Sequence, residues 1–257
     1  GNISITGTFD NSANFGSIQL SSYGSYDIFV AKLDTNGNWL WAKNSGSTDG
    51  DQGKGVAIDG SGNVYVTGHY FGTCYMGSNT LSHQDGEDWF IAKLDTNGNW
   101  VWSTRMYGNY YDVGEAIDVN TNGDIAVVGY SSYDIYVGTF GWQYPNYRSN
   151  TGSRVFVATL DNGGTFTSGS YLGSHTNYNS YAEDVVIDDS GVVTLSGRMD
   201  TRLSWQGSWK YSSGSSDWDC FVASYAYNPN NSTPLAEMNF LSIGGQGADY
   251  CWSIDRD

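Results

Sequence analysis

Four tandem copies of one unit, a composition of strand and turn formers, and a motif order that runs on across the chain ends predict an all-β fold. The expected architecture is a four-bladed β-propeller with four antiparallel strands per blade, its ring closed by pairing of the C-terminal strand with the N-terminal strand. The copies are read directly. GNISITG at 1–7 recurs as GNVYVTG at 62–68, GDIAVVG at 123–129 and GVVTLSG at 191–197, at spacings of 61, 61 and 68 residues. Glycine (34), tyrosine (20) and tryptophan (10) abound, whereas proline (3) is scarce and glutamate occurs only at Glu87, Glu115, Glu183 and Glu237. Such a mixture favours strands and tight turns over helices.

Each unit offers four short strands, as at 55–59, 63–69, 89–95 and 100–107. The connectors DGSGN and DTNGN are hairpin signals, in which Asp bonds the backbone and Gly supplies a positive φ. A second motif follows each GN strand: DIFVAKLDTNGNWLWAK from Asp27, DWFIAKLDTNGNWVWST from Asp88, RVFVATLDNGGTFTSGS from Arg154 and a divergent copy from Asp219. In the first, Phe29, Ala31 and Leu33 fall on one strand face and Ile28 and Val30 on the other. Both faces are apolar, as a blade packed between two neighbours requires, and Trp39, Trp41, Trp100 and Trp102 suit the wedges between blades. A third motif ends in Asp59, Asp118, Asp188 and Asp255. Joining its last copy to residue 1 gives IDRDGNISITG, the counterpart of IDGSGNVYVTG inside the chain. Residues 251–255 are therefore expected to pair with Ile3, Ser4, Ile5 and Thr6. The blades become 1–48 with 249–257, then 49–108, 109–173 and 174–248, all in a single domain over 1–257.

Eleven basic against 27 acidic side chains give a net charge of −16, which disfavours nucleic acid and anionic membranes as partners. No apolar run reaches the roughly 18 residues of a membrane helix, so no membrane insertion is expected. Cys74, Cys220 and Cys251 show no zinc spacing and are expected to be small apolar fillers. Few lysines, a polar aromatic composition and a first residue other than Met point to an extracellular or cell-surface setting.

The pattern D-x-F-V-A-K-L-D-x-N-G-x-x-x-W-A-K, followed by G-x-A-x-D-x-x-G-N-x-Y-V-T-G, resembles the β-propeller repeat of large bacterial surface and secreted proteins. The resemblance covers all four units, closely in the first two. The others depart at Arg154, 165–168 and 225–234. It implies a propeller and an extracytoplasmic setting, and it carries over no catalytic residue.

Function is expected on the long connections 8–26, 70–87, 130–153 and 198–218. One gathers Tyr130, Tyr133, Tyr136, Trp142, Tyr144 and Tyr147, and another Trp205, Trp209, Tyr211 and Trp218. Flat rings among Ser, Gly and Asn suit a glycan or a surface protein, although the same rings also serve to pack loops upon themselves. A non-catalytic binding or adhesion propeller without cofactor or metal is thus expected. One alternative is a self-assembling subunit of a surface filament, sheath or virion appendage. The other is a propeller glycoside hydrolase using carboxylates such as Asp49, Asp51, Glu87, Asp112 or Asp249. Asp34, Asn36, Asp59, Asp95, Asn97, Asn120 and Asp124 read as turn formers rather than calcium ligands, and His69, His83 and His175 as ordinary residues.

Overall fold

A computed structural model describes residues 1–137, 152–172, 179–200, 202–205, 208–211, 218–227, 235–245 and 247–255, with backbone alone at 202–205 and 208–211. Among these residues the chain forms strands and turns, with no helix. The first sheet comprises β1 (Ile3–Phe15), β2 (Ile18–Leu33) and β3 (Trp39–Ser45) in that order. The second is built from β4 (Gln52–Ile58), β5 (Val64–Tyr70), β8 (Asp88–Leu94) and β9 (Trp100–Gly108). Between β5 and β8 lies a small hairpin, β6 (Cys74–Met76) and β7 (Asn79–Leu81). β10 (Asp112–Val119), β11 (Ile125–Ser131), β13 (Arg154–Leu160) and β14 (Phe166–Leu172) make the third sheet, while β12 (Ile135–Val137) pairs back onto β9 of the second. The fourth holds β15 (Ser180–Ile187), β16 (Val192–Asp200), β19 (Trp218–Ala226) and β20 (Ala236–Ile243), with the hairpin β17 (Arg202–Trp205) and β18 (Ser208–Tyr211) in its long connection.

Each repeat motif has a local cause. The Asp59 carboxylate accepts the amides of Ser61 (2.9 Å) and Asn63 (2.8 Å) while Gly62 takes φ 85°, and Asp34, Asp95, Asn120, Asp161 and Asp188 cap their own turns in the same way. Those oxygens are thus engaged within the turns. The Lys and Trp of the second motif tie one sheet to the next. Lys32 Nζ donates to Gly62 O (2.6 Å) and Trp41 Nε1 to Thr96 O (3.0 Å); one sheet on, Lys93 reaches Asn162 Oδ1 and Trp102 Nε1 the Asn162 carbonyl (3.0 Å). Gly98, at φ 79°, lies under Trp41, where a Cβ would come within 2.7 Å of the indole.

The core lies between the sheets, as the two apolar faces of each strand require. Ile28, Val30 and Trp41 pack with Val64, Val66 and Phe90; Trp89, Ile91 and Met106 with Val127 and Phe156; Val155 and Val157 with Leu195 and Phe221. Phe29 and Ala31 point the other way, into a cluster with Phe9, Phe15 and Leu20. That cluster exists because 8–26, expected to be a loop, is a continuation of β1 and β2 into a long hairpin with a bulge between Asp10 and Ser12. Its tip folds back so that Phe15 meets Trp39 edge-on at 5.0 Å.

The reading of the cysteines is corrected as well. Cys220 and Cys251 form a disulfide across 31 residues, and only Cys74 is a buried filler thiol. Sequence spacing hid the pair because β19 and the C-terminal segment meet only in the tertiary structure. At the expected seam, the described residues show β1 pairing with β2 and 251–255 joining no ladder. These residues are held on the fourth sheet instead, where Ser253 Oγ and Ile254 N both donate to Asp184 Oδ2 (2.8 and 3.0 Å).

Candidate functional site

β4, β10 and β15, each at one edge of its sheet, carry one irregularity at the same place. Their register slips between Gly53 and Gly55, between Gly114 and Ala116, and between Ala182 and Asp184. The skipped residues are Lys54, Glu115 and Glu183. A bulge leaves one residue out of the ladder and re-aims its side chain, and here three sheets repeat it with a charged residue. The neighbouring strands contribute the residue after the repeat glycine: His69 after Gly68, Tyr130 after Gly129 and Arg198 after Gly197.

These side chains meet. Lys54 Nζ lies 3.4 Å from Glu115 Oε1, Arg198 Nε 3.1 Å from Glu183 Oε1, and His69 Nε2 4.0 Å from Glu87 Oε1. Three of the four glutamates in the chain therefore share one cluster. Burial raises the carboxyl pKa of Glu87, Glu115 and Glu183, opposed chiefly by Lys54 at the first two and by Arg198 at the third. Burial also lowers the His69 pKa to about 4, so at neutral pH the imidazole is uncharged. Burial likewise raises the pKa of the Tyr130 phenol.

Aromatic rings surround the guanidinium. The centroids of Tyr181, Trp218, Tyr250 and Trp252 lie 5.0, 5.4, 5.7 and 5.8 Å from Arg198 Cζ, within cation–π range. Tyr130 meets Tyr181 edge-on at 4.8 Å, and Tyr250 stacks on Trp252 at 5.6 Å. Trp252 is the third residue after Asp249, as Lys54, Glu115 and Glu183 are the third after Asp51, Asp112 and Ser180. The backbone supports this equivalence. The amides of Asp51, Asp112, Ser180 and Asp249 donate to Tyr26, Glu87, Ser153 and Trp218 carbonyls at 2.7, 2.8, 2.9 and 2.5 Å. The C-terminal segment thus repeats the hydrogen bond made at the start of β4, β10 and β15. Its rings are open to solvent, Trp252 at 66% and Tyr250 at 45%.

Of the ring residues expected to bind, Tyr130 and Trp218 belong to this cluster, whereas Tyr133 stacks on Tyr110 (4.8 Å) elsewhere. Trp142, Tyr144 and Tyr147 lie outside the described residues, as does His175, and Trp205, Trp209 and Tyr211 lie on β17 and β18, whose side chains are not described. Lys54, Glu115, Glu183, Arg198, Tyr250 and Trp252 were missed. The sequence did hold a signal for them: they stand at repeat positions where the copies carry chemically different polar or aromatic residues between matching neighbours.

The candidate acids Asp51 and Asp112 have another place. Asp51 is buried near Asp27, accepts Ser47 N (2.6 Å) and Phe71 N (2.9 Å), and has its pKa raised to about 6, mainly by desolvation. Asp112 is fully buried beside Asp88, with the Ser131 hydroxyl and Gly108 amide near it but out of hydrogen-bonding geometry. Burial raises its pKa well above the ordinary carboxylate range. Asp249 Oδ2 accepts Gly245 N (3.0 Å). His83 Nε2 lies 2.8 Å from the Gly86 carbonyl.

Known proteins resemble parts of this chain. The regulatory protein FlaEY of Caulobacter vibrioides is 29% identical over 119 residues, covering 44% of this chain and 12% of its own length. An uncharacterised WD repeat-containing protein of Acanthamoeba polyphaga mimivirus is 24% identical over 145 residues, covering 50% of this chain and 10% of its own. The chain spans about a tenth of either relative. A crystal structure of a protein of unknown function from Bacteroides caccae aligns over 78% of this chain and 67% of its own, at 10% identity and a TM-score of 0.34. Residues 45–69, which run from the end of β3 through the Lys54 bulge to His69, match the family described as a β-propeller repeat, and with the all-β fold they support membership of this repeat in that family.

Proposed function

We propose that the chain is a non-catalytic, extracellular binding module that recognises a glycan at the cluster around Arg198. The arrangement of solvent-open Trp252 and Tyr250 beside Arg198, Glu183 and Glu115 carries this reading. A sugar presents an apolar face that stacks on such rings and a rim of hydroxyls that bond to carboxylates and guanidinium. The Cys220–Cys251 disulfide supports an oxidising compartment. Screening the protein on a glycan array, then titrating the best-bound glycan into Trp252→Ala, tests the site. Binding should weaken at least tenfold with an unchanged melting temperature. Undiminished affinity refutes the assignment.

The four-bladed ring belongs to the same proposal. Among the described residues β1 pairs with β2 alone and the segment from Asp249 joins no ladder, while the Asp249 amide repeats the bond made by Asp51, Asp112 and Ser180, which supports reading the two ends as halves of one more junction. A second reading, self-assembly through those halves, is favoured by β20, which exposes Met238, Leu241 and Ile243 at 48%, 63% and 56%. Solution mass separates the two: closure within one chain leaves a monomer, and head-to-tail assembly gives a concentration-dependent series.

A further inference from the structure

The first two sheet junctions are related by an offset of 61 residues and are built alike. Tyr75 bridges Gly46, its amide donating to the Gly46 carbonyl at 3.1 Å, as Tyr136 pairs with Tyr107. Their filling differs. At the second junction Tyr136 stacks on Tyr107 (5.5 Å) and Tyr133 on Tyr110 (4.8 Å). The counterparts of Tyr107, Tyr110 and Tyr133 at the first are Gly46, Asp49 and Gly72, so three of four rings are missing. A cavity of about 370 Å³ lies there, lined by Tyr23, Ser47, Thr48, Thr73 and Tyr75.

We infer that this cavity is a subsite for a neutral pyranose ring, stacked on Tyr75 as Tyr107 stacks on Tyr136. Its size falls within the roughly 300–1,000 Å³ of small-molecule sites. Tyr75 and Tyr23, both in the lining, are 54% and 61% exposed. Thr48, Thr73 and Ser47, whose Oγ accepts Asp49 N (3.0 Å), supply the polar part of the lining. Asp49 and the buried Asp51 put negative charge beside the cavity, which selects against uronic and sialic acids. The identity of the sugar class rests on the carbohydrate reading above, but the two sites share no residue.

The test is isothermal titration and amide-shift mapping with cellohexaose, maltohexaose and chitohexaose, and with polygalacturonate as the anionic control. One of the neutral oligosaccharides should shift the amides of Thr48, Thr73 and Tyr75. Tyr75→Ala should weaken it about tenfold, Tyr75→Phe should restore it, and Thr48→Trp, which fills the cavity, should abolish it. Loss of binding in Trp252→Ala with none in Tyr75→Ala would overturn the subsite and leave the Arg198 cluster standing. The reverse pattern would support the subsite and sink the cluster. Absence of shifts at the cavity residues with all three neutral probes, or equal binding of polygalacturonate there, would also overturn it.

Discussion

Replacing Cys251 with Ser should lower stability far more than its half-buried position suggests. The disulfide closes 31 residues, a span that contains most of β19 and all of β20. On the chain-entropy account, a loop of that size removes about 12 cal/mol/K from the unfolded ensemble, or about 3–4 kcal/mol at 25 °C. For a chain of this length such a loss lowers the melting temperature by roughly 6–16 °C. Thermal unfolding followed by tryptophan fluorescence, with and without reductant, reads the effect, and Cys251→Ser should melt like the reduced parent. Thiol counting gives an independent check. Burial pushes the Cys74 thiol up to about 12, so the native oxidised protein should alkylate slowly, and the denatured oxidised protein should take up one label. Three labels in the denatured, unreduced protein, or coincident melts with and without reductant, would refute the pairing and its energetic role together.

Three further perturbations follow from the packing. Asp51 has a raised folded pKa and therefore holds its proton longer when folded than when unfolded; stability from this group is present below about pH 4 and falls as pH rises toward 6. Melting should accordingly be higher at pH 4.5 than at pH 6.5, a difference that Asp51→Asn should reduce. Asp112→Asn should raise the melting temperature at pH 7.5, because the unfolded chain releases a proton that the buried folded carboxyl holds to higher pH, a cost that Asn removes, and the gain should shrink as pH falls; a lowered Tm at pH 7.5 would contradict this. Gly114→Ala should cost about 2–4 kcal/mol in denaturant unfolding, since its Cβ would run into Trp89 Nε1 and Thr67 Oγ1, and a loss below about 1 kcal/mol would show that the junction yields.

Much of the blade was legible in the sequence. The strands expected at 63–69 and 100–107 appear as Val64–Tyr70 and Trp100–Gly108, because period-two alternation and Asp/Gly turns act over a few residues and need no distant partner. The split of Ile28 and Val30 from Phe29 and Ala31 follows from the same pleat. What escaped depended on contacts between units. Lys54, Glu115 and Glu183 converge only because β4, β10 and β15 each bulge at that residue, and nothing local marks a bulge in KG, EA or ED. The hairpin at 8–26 read as a loop because its apolar side chains find their cover only when Phe15 folds back on Trp39. Cys220 and Cys251 became a pair through the packing of the C-terminal segment against β19. The sequence by itself therefore determined the strands, their turns and the repeat, which short-range sterics and hydrogen bonding dictate. The aim of the charged residues, the ring cage around Arg198 and the disulfide were decided only where separate units pack, since each of these depends on atoms brought together from distant parts of the chain.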